Sequence, residues 1–297
     1  MNILVTGACG QLGNEMQLLA KENLQHKWFF TDICSKEDGL FVITPLDITD
    51  RSAIDAFVTD RSIGLIVNCA AYTAVDRAEA EEEKAQLLNA MAPGYLAAAI
   101  DQRGGQLIQI STDYVFDGTA HVPYTEECRT CPTSAYGRTK LAGEEAALSA
   151  NPSVMIIRTA WLYSRFGNNF VKTMLRLGSE KPELGVIFDQ IGTPTYAHDL
   201  ATAIITAINQ GVQPGIYHFT NEGVCSWYDF TKAIHRLAGI TTCRVRPLHT
   251  AEYPTPATRP HYSVLDKTKI KTTYNIDIPY WEDSLKACIQ ELLPKSL

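Results

Sequence analysis

Over its first two-thirds, the chain alternates between two kinds of hydrophobic pattern. Short apolar runs rich in β-branched residues alternate with longer stretches in which apolar residues recur at helical spacing. Nearly continuous apolar strands between amphipathic helices are typical of a parallel sheet that is covered on both faces. Strands are predicted at Ile3–Thr6, Trp28–Thr31, Ile63–Asn68, Gln106–Ile110 and Val154–Arg158, and helices at Gln11–Glu22, Ser52–Thr59, Glu79–Gln102 and Ala135–Ala150. Because crossovers between parallel strands are right-handed, this pattern predicts an α/β fold with a doubly wound parallel sheet.

A glycine-rich turn follows the first predicted strand. Gly7, Gly10 and Gly13 are spaced three apart, and a helix is predicted to begin at Gln11. Glycine tolerates the positive φ of a tight turn, and its missing Cβ lets a pyrophosphate approach the N–H groups of a helix N-terminus. A glycine triplet alone also fits a purely structural turn. Its place between the first strand and a helix favours a Rossmann-like fold that binds a dinucleotide.

An acidic residue, Asp32, ends the second predicted strand. In dinucleotide-binding folds a carboxylate at this place accepts hydrogen bonds from the adenosine ribose and disfavours a 2′-phosphate. This slightly favours NADH over NADPH, although Lys36 is near enough in the sequence to blur the choice. The predicted cofactor is therefore NADH or NADPH. The alternative for Asp32 is a helix cap or turn residue.

A tyrosine and a lysine begin the predicted helix Ala135–Ala150. Tyr136 and Lys140 are four residues apart and so share one helix face, and Thr112 follows the predicted strand Gln106–Ile110. Ligands of doubly wound sheets bind at the carboxyl ends of the strands. Reduction of a carbonyl needs a proton donor, and a neighbouring ammonium would lower the pKa of a tyrosine. We therefore predict Tyr136 as the acid, Lys140 as its tuner and ribose contact, and Thr112 as a partner of the substrate oxygen.

The pattern loosens after about residue 160. Helices are predicted near 169–177, 198–209 and 227–238, separated by loops rich in Pro, Gly and Thr. We predict a dinucleotide-binding domain over residues 1–160. Residues 161–297 are predicted to form mainly a smaller α/β substrate-binding lobe that is interleaved with it.

Composition and charge limit the classes of partner and the cellular compartment that we expect. The 297 residues are 45% hydrophobic and 20% charged, with a formal net charge of -7. This gives no basic field for nucleic acid or an anionic membrane. No apolar run is long enough to span a bilayer, and the N-terminus does not resemble a signal peptide. Eight scattered cysteines favour a reducing compartment, so we expect a cytoplasmic protein. The acidic run at 79–83 is interpreted as a solvated helix start.

Longer motifs carry a family resemblance that runs essentially from end to end. The chain resembles the extended short-chain dehydrogenase/reductase superfamily and, within it, the family of dTDP-4-dehydrorhamnose reductases. The motifs that carry this resemblance are the Tyr136/Lys140 pair and the segments 68–76, 111–118, 158–163, 167–170 and 259–260.

The resemblance implies reduction of the C4 keto group of dTDP-4-dehydro-L-rhamnose to dTDP-L-rhamnose, with Tyr136 as the proton donor. The residues implied at the dinucleotide are Gly10, Gln11, Leu12, Asp32, Asp47, Ile48, Ala71, Tyr72 and Thr73. Thr112, Asp113, Tyr136 and Trp161 are implied at the deoxysugar nucleotide, with Val75 near the sugar. Arg259 is a candidate diphosphate contact, with a surface ion pair as an equal alternative.

Several alternatives stay open at this point. The same chemistry fits a reductase or epimerase of another nucleotide sugar, and a related fold serves as the non-catalytic regulatory subunit of methionine adenosyltransferase. The family is often described with Mg²⁺ and a homodimer, but no acidic cluster with suitable spacing identifies a metal site, so no metal ligand is assigned. The pair Cys128 and Cys131 is interpreted as two inert loop thiols, with zinc or a reversible disulfide as alternatives.

Overall fold

A parallel sheet forms the centre of the protein. A computed structural model describes residues 1–35 and 39–293; Lys36, which bears on the choice of cofactor, lies outside the described residues. The strands of the central sheet are β1 (Asn2–Thr6), β2 (Lys27–Asp32), β3 (Ile43–Pro45), β4 (Leu65–Asn68), β5 (Gln106–Thr112), β6 (Met155–Thr159) and, from the second half of the chain, β11 (Gly215–His218). The remaining strands form two-stranded pairs: β7 (Leu162–Tyr163) with β10 (Thr195–Tyr196), β8 (Glu183–Ile187) with β13 (Arg244–Leu248), and β9 (Ile191–Gly192) with β12 (Cys225–Ser226).

The order of the central strands fixes where a ligand can bind. The sheet runs β3-β2-β1-β4-β5-β6-β11, and its pairs are parallel. The direction of winding reverses between β1 and β4, where Thr6 lies in register with Asn68. In open α/β sheets, ligands bind in the crevice at the carboxyl ends of the strands at this switch point. The predicted doubly wound, Rossmann-like fold is confirmed.

Helices cover both faces of the sheet. They are α1 (Gln11–Glu22), α2 (Arg51–Asp60), α3 (Val75–Ala78), α4 (Glu82–Gln86), α5 (Ala92–Asp101), α6 (Ala135–Ala150), α7 (Phe170–Glu180), α8 (Ala197–Gln210), α9 (Trp227–Leu237), α10 (Thr268–Tyr274) and α11 (Trp281–Leu292). Side chains of a strand alternate between the faces. Ile3 and Val5 therefore pack with α1 and α8 in one core, and Leu4 packs with α2 and α5 in the other.

One predicted helix is wrong. The segment expected as a single helix, Glu79–Gln102, is divided between α4, a π-helical turn at Leu87–Met91, and α5. The wider turn places Asn89 against residue 72, where its side chain accepts a bond from the backbone N–H (2.9 Å) and donates one to the carbonyl (3.1 Å). These bonds join the divided helix to the loop after β4, which helical periodicity cannot indicate.

The second half of the chain contributes to both parts of the molecule. Its strand β11 extends the central sheet beside β6, and α8 packs on α1, while α7, α9 and α11 enclose a separate core. The division at residue 160 stays a prediction. None of the helices in the described ranges is long and apolar enough to cross a membrane.

Candidate active site

A cavity of about 780 Å³ opens at the carboxyl ends of the central strands. It extends from the glycine turn and Asp32, past Tyr136, to a wall formed by the second half of the chain. Most of the predicted site residues line this one cavity: Gly7, Gly10, Gln11, Leu12, Asp32, Ile48, Ala71, Thr73, Val75, Thr112, Asp113, Tyr136, Lys140, Trp161 and Arg259. Their functional roles stay predictions.

The glycine turn is shaped so that a side chain would not fit. Gly7 has a φ of 67°, and a Cβ there would lie 2.6 Å from the backbone nitrogen of Ala70. A Cβ on Gly13 would lie 2.2 Å from the carbonyl oxygen of Gly7, so Gly13 permits close packing of α1 and does not line the cavity. Gly10 is the residue before α1, and no side chain caps the helix there. Gly10, Gln11 and Leu12 line the cavity, so the N-terminus of this helix faces it. This cradle fits the pyrophosphate of a dinucleotide.

Asp32 connects the glycine turn with the segment after β2, at the end of the cavity that we call the nucleotide end. One carboxylate oxygen accepts from the backbone N–H of Cys9 (2.9 Å), and the other accepts from that of Ile33 (2.8 Å). Both predicted roles are thus compatible with its position, because the carboxylate orders a turn and still lines the cavity. Each oxygen has a second lone pair with which to accept a ribose hydroxyl.

Three predicted contacts lie around this end in different ways. Ile48 lines the cavity, whereas Asp47 caps the next turn by accepting from the backbone N–H and hydroxyl of Thr49. Tyr72 does not line the cavity either, because its hydroxyl donates to Glu81 at 3.0 Å.

Tyr136, Thr112 and Lys140 meet at the middle of the cavity. Ser134 caps α6 by accepting from the N–H of Gly137 (3.1 Å), and this cap sets the start of the helix one turn before Lys140. The Thr112 hydroxyl donates to Asp113 at 3.0 Å and lies near enough to Tyr136 to lower the pKa of its phenol. The Lys140 ammonium donates to the carbonyl oxygen of Ile110 at 2.6 Å, and the cavity is open beside it.

Burial dominates the protonation of this pair. It raises the pKa of Tyr136 well above its ordinary value, with further increases from the charge of Asp113 and from Tyr114. It lowers the pKa of Lys140 to about 8, against the opposing effect of Glu144. Burial exceeds the opposing effect of Thr112, the only group that lowers the pKa of Tyr136. Tyr136 is thus a protonated phenol near neutral pH. The tuning of Tyr136 by Lys140 stays a prediction.

Asp113 is a buried carboxyl beside the proposed acid. Burial raises its pKa to about 6, and nearby Ser263 and Thr112 oppose that change. One carboxylate oxygen accepts from the Thr112 hydroxyl at 3.0 Å. Apart from the interaction between them that lowers the pKa of Asp113, the other oxygen and the Ser263 hydroxyl have no hydrogen-bond partner among the described residues. Buried polar atoms are usually hydrogen-bonded, and Asp113 lines the cavity, where a ligand could add a bond.

An aromatic wall faces these polar groups. Trp161 and Trp227 stack with their ring centroids 3.5 Å apart, and Phe170 packs on Trp227 at 4.5 Å. Trp161 has a φ of 48°, a conformation that a bulky side chain rarely adopts. Trp227 and Phe170 were not predicted as site residues. The only local signal at Trp227 is the capping box of Ser226 and Asp229, which marks a helix start and not a ligand.

Arg259 reaches the cavity from the late loop. It donates to the carboxylate of Asp76 at 2.6 Å and to the hydroxyl of Tyr114 at 3.3 Å. It therefore forms an ion pair and also lines the cavity, so the two interpretations of this arginine do not exclude each other. Val75 lies beside Asp76 and lines the same end.

The acidic run at 79–83 is largely exposed and leads into the first turn of α4, as expected, and it also makes contacts with α6. Glu79 accepts from the backbone N–H of Ala135 at 2.9 Å, and Glu82 pairs with Arg138 at 3.1 Å. These contacts attach the run to the first turn of α6, next to Tyr136. Sequence spacing gives no sign of them, because the partners are more than fifty residues apart.

No magnesium site is identified among the described residues, and metal dependence stays open. Their one group of three close metal-ligating side chains is Cys9, Asp32 and Cys34. Mg²⁺ requires oxygen ligands, so two thiols and one carboxylate do not suit it. The Cys128 thiol contacts the hydroxyl of Thr125 at 3.4 Å.

Fold and site define the class of protein as an extended short-chain dehydrogenase/reductase. The family described as "RmlD substrate binding domain" matches residues 1–293, and the chain belongs to this family. A dTDP-4-dehydrorhamnose reductase from Escherichia coli (strain K12) is 40% identical over 98% of this chain and 98% of its own length. A Streptomyces antibioticus protein, a probable dTDP-4,6-dihydroxy-2-methyloxan-3-one 4-ketoreductase, is 41% identical over 99% of this chain and 96% of its own.

Solved structures agree with these relatives. A dTDP-4-dehydrorhamnose reductase from Clostridium acetobutylicum superposes with a TM-score of 0.90 at 44% identity, covering 98% of this chain and 99% of the other. The Bacillus anthracis reductase, in complex with NADP, superposes with a TM-score of 0.89 at 38% identity, again covering 98% and 99%.

Proposed function

We propose that this protein reduces the C4 keto group of dTDP-4-dehydro-L-rhamnose to give dTDP-L-rhamnose, using NADH or NADPH. The observation that carries the proposal is one cavity in which the glycine cradle, the Tyr136/Lys140/Thr112 group and the aromatic wall follow each other in that order. The names of the relatives support the substrate. Cytoplasmic location and a homodimer stay predictions.

The reaction needs a hydride and a proton on opposite ends of the carbonyl. A reduced nicotinamide supplies the hydride when it is bound. The Tyr136 hydroxyl donates its proton to the C4 oxygen as negative charge develops there. A phenol whose pKa is raised by burial holds this proton at neutral pH and gives it up only when the developing alkoxide is the stronger base.

Lys140 and Thr112 support the transfer from two sides. The ammonium of Lys140 favours the phenolate that forms on Tyr136, and because it lines the cavity it would also hold a ribose hydroxyl of the nicotinamide nucleotide. The Thr112 hydroxyl, which lines the cavity near Tyr136, would orient the C4 oxygen toward the phenol. Trp161 presents an apolar face that suits the methyl group of a 6-deoxy sugar.

A second candidate is reduction of a different dTDP-linked keto sugar. The relative from Streptomyces antibioticus favours this alternative, because its name describes a 4-ketoreductase of another dTDP sugar at an identity similar to that of the rhamnose reductases. The regulatory-subunit alternative is not carried forward, because the relatives named above are reductases.

The test compares turnover of the wild-type protein with that of two tyrosine variants. NADH and NADPH oxidation is followed with dTDP-4-dehydro-L-rhamnose for wild type, Tyr136→Phe and the control Tyr262→Phe, whose ring lies outside the cavity lining. We expect Tyr136→Phe to lower kcat by about 10²- to 10⁴-fold with unchanged cofactor affinity, and Tyr262→Phe to behave as wild type. Turnover of another dTDP-keto sugar alone would favour the second candidate, and near-normal turnover by Tyr136→Phe would refute the assigned acid.

A further inference from the structure

Two thiols meet at the nucleotide end of the cavity. Cys9 lies inside the glycine turn between Gly7 and Gly10, and Cys34 follows Asp32. Their sulfur atoms are 3.5 Å apart. Cys9 lines the cavity, whereas Cys34 is exposed to solvent. The two sulfurs and a carboxylate oxygen of Asp32 all lie within 4.8 Å of one another.

We propose that Cys9 and Cys34 are a dithiol modification site, whose oxidation to a disulfide by a low-molecular-weight disulfide closes the adenosine end of the cavity. The proposal rests on the proposed binding of a dinucleotide at this end. It concerns control of that site, which the reductase activity does not require.

The chemistry is two successive thiol–disulfide exchanges. The thiolate of exposed Cys34 attacks one sulfur of the small disulfide, forms a mixed disulfide and releases one small thiolate. The thiolate of Cys9 then attacks the Cys34 sulfur, which breaks the mixed disulfide, forms the Cys9–Cys34 bond and releases the second thiolate. The protein loses two electrons and two protons; the small disulfide gains the electrons, and its two thiolates take up the protons.

The surroundings decide which sulfur moves. A disulfide bond is about 2.05 Å long, so the sulfurs must approach each other by about 1.5 Å. The glycine turn has no room to shift, because Gly7 packs on the backbone of Ala70 and Gly13 packs on Gly7. Cys34 and its neighbour Ile33 are exposed and have that freedom.

Movement of Cys34 toward Cys9 would displace the segment next to Asp32, which is two residues away. The backbone N–H of Ile33 donates to one Asp32 oxygen, so displacement of this segment also disturbs the carboxylate. The disulfide would lie within 4.8 Å of the carboxylate that is proposed to accept a ribose hydroxyl. Oxidation is therefore expected to weaken dinucleotide binding. By linkage, a bound dinucleotide is expected to oppose oxidation by the same factor.

The experiment uses the full-length reduced protein treated with glutathione disulfide. Non-reducing tryptic mapping is expected to show peptides Met1–Lys21 and Trp28–Lys36 joined. The dissociation constant for NADH and NADPH, measured by calorimetry, is expected to rise by about tenfold or more and to recover with dithiothreitol. Saturating NADPH is expected to slow the cross-link.

Two serine variants separate this pair from the other thiols. Cys34→Ser is expected to bind cofactor as the reduced wild type does and to show no response to glutathione disulfide. Cys131→Ser removes the other exposed cysteine and is expected to respond as the wild type does.

Several results would overturn the proposal. These are a cross-link with unchanged cofactor affinity, oxidation at other cysteines without the Cys9–Cys34 link, or an equal response from Cys34→Ser. If the two thiols form no link but added Zn²⁺ weakens NADPH binding by the reduced protein, the cluster is a metal site and the disulfide proposal fails. Failure of the reduced protein to bind either dinucleotide would instead refute the proposed function, since the peptide map reports the link independently.

Discussion

The two ends of the cavity are built in different ways. At the nucleotide end, the site residues follow β1, β2, β3 and β4 in the first part of the chain, and Asp32 already has a partner for each carboxylate oxygen. At the sugar end, Trp161, Trp227 and Arg259 come from distant segments. There the second oxygen of Asp113 and the hydroxyl of Ser263 have only each other as polar partners in the described part of the chain.

The nucleotide end therefore has an ordered carboxylate, whereas the sugar end has a buried carboxyl in an unfavourable environment. At the nucleotide end, two backbone N–H groups hold the Asp32 carboxylate before a ligand arrives. The sugar end keeps a carboxyl buried with its pKa raised to about 6, which disfavours the charged folded state near neutral pH. Unfavourable local interactions of this kind persist where a ligand completes them. We expect changes at the sugar end to separate stability from substrate binding.

Among the changes that test this comparison of the two ends, the largest effect is expected at Lys140, which lies between them. Lys140→Met is expected to lower kcat/KM by about 10²-fold or more and to raise the dissociation constant of the cofactor by about tenfold, because one ammonium serves both the phenol and the ribose. Stopped-flow turnover and calorimetry measure these effects. Lys21→Met on the exposed end of α1 is the control. Unchanged cofactor affinity in Lys140→Met would remove Lys140 from the nucleotide end.

The same ammonium gives a pH dependence. Burial lowers the pKa of Lys140 to about 8, so the charged form declines as pH rises through that value. The kcat/KM of the wild type is expected to fall on the alkaline side with an apparent pKa of about 8, since Tyr136 stays protonated there. A pH–rate profile that is flat to well above this value would show that the charge of Lys140 is not needed.

The next effect is expected at Asp113. Its folded pKa is raised above the ordinary 3.8, so its favourable contribution is present at low pH and is lost as pH rises through about 6. Asp113→Asn keeps an acceptor for Thr112 and removes the buried charge. It is expected to raise the free energy of unfolding at pH 8 by at most about 3 kcal/mol, because one pKa unit corresponds to about 1.4 kcal/mol.

Asp113→Asn is expected to weaken substrate binding, although it stabilises the fold at pH 8. Loss of a charged acceptor for a sugar hydroxyl is expected to raise KM by about tenfold or more, without a change in cofactor affinity. Thermal unfolding at pH 4 and pH 8, together with steady-state kinetics, measures both effects. Equal destabilisation at the two pH values would mean that the carboxyl is structural.

The contrast between the two ends also explains what the sequence could predict. The helices Gln11–Glu22 and Ala135–Ala150 are found at their predicted bounds, because Gly10 precedes the first and the Ser134 side chain caps the second. The π-helical turn at Leu87–Met91 was missed, since Asn89 is held by the loop after β4. Trp227 was missed for the same reason: its role as a wall depends on stacking with Trp161, sixty-six residues earlier in the chain.

A smaller effect is expected at Trp227, which tests the aromatic wall. Trp227→Ala removes the stacking partner of Trp161, and such ring pairs contribute about 0.5–1.5 kcal/mol beyond burial of their area. We expect KM for the sugar nucleotide to rise by about threefold to tenfold, while cofactor affinity is retained. Trp227→Phe keeps a ring and is expected to restore most of the loss. An equal loss of cofactor affinity would contradict the separation of the two ends.

The smallest effect is expected at Glu79, which supports the start of α6 from the acidic run. Its carboxylate accepts from the N–H of Ala135, one residue before Tyr136, where negative charge also suits the helix dipole. Glu79→Ala is expected to lower Tm by about 2 °C and kcat by a few-fold, with KM unchanged, because the phenol is less firmly oriented. Glu83→Ala removes an equal charge from the same exposed run and is the control for electrostatics alone. If both variants lower kcat equally, the effect comes from charge and not from the hydrogen bond, and Glu79 does not position Tyr136.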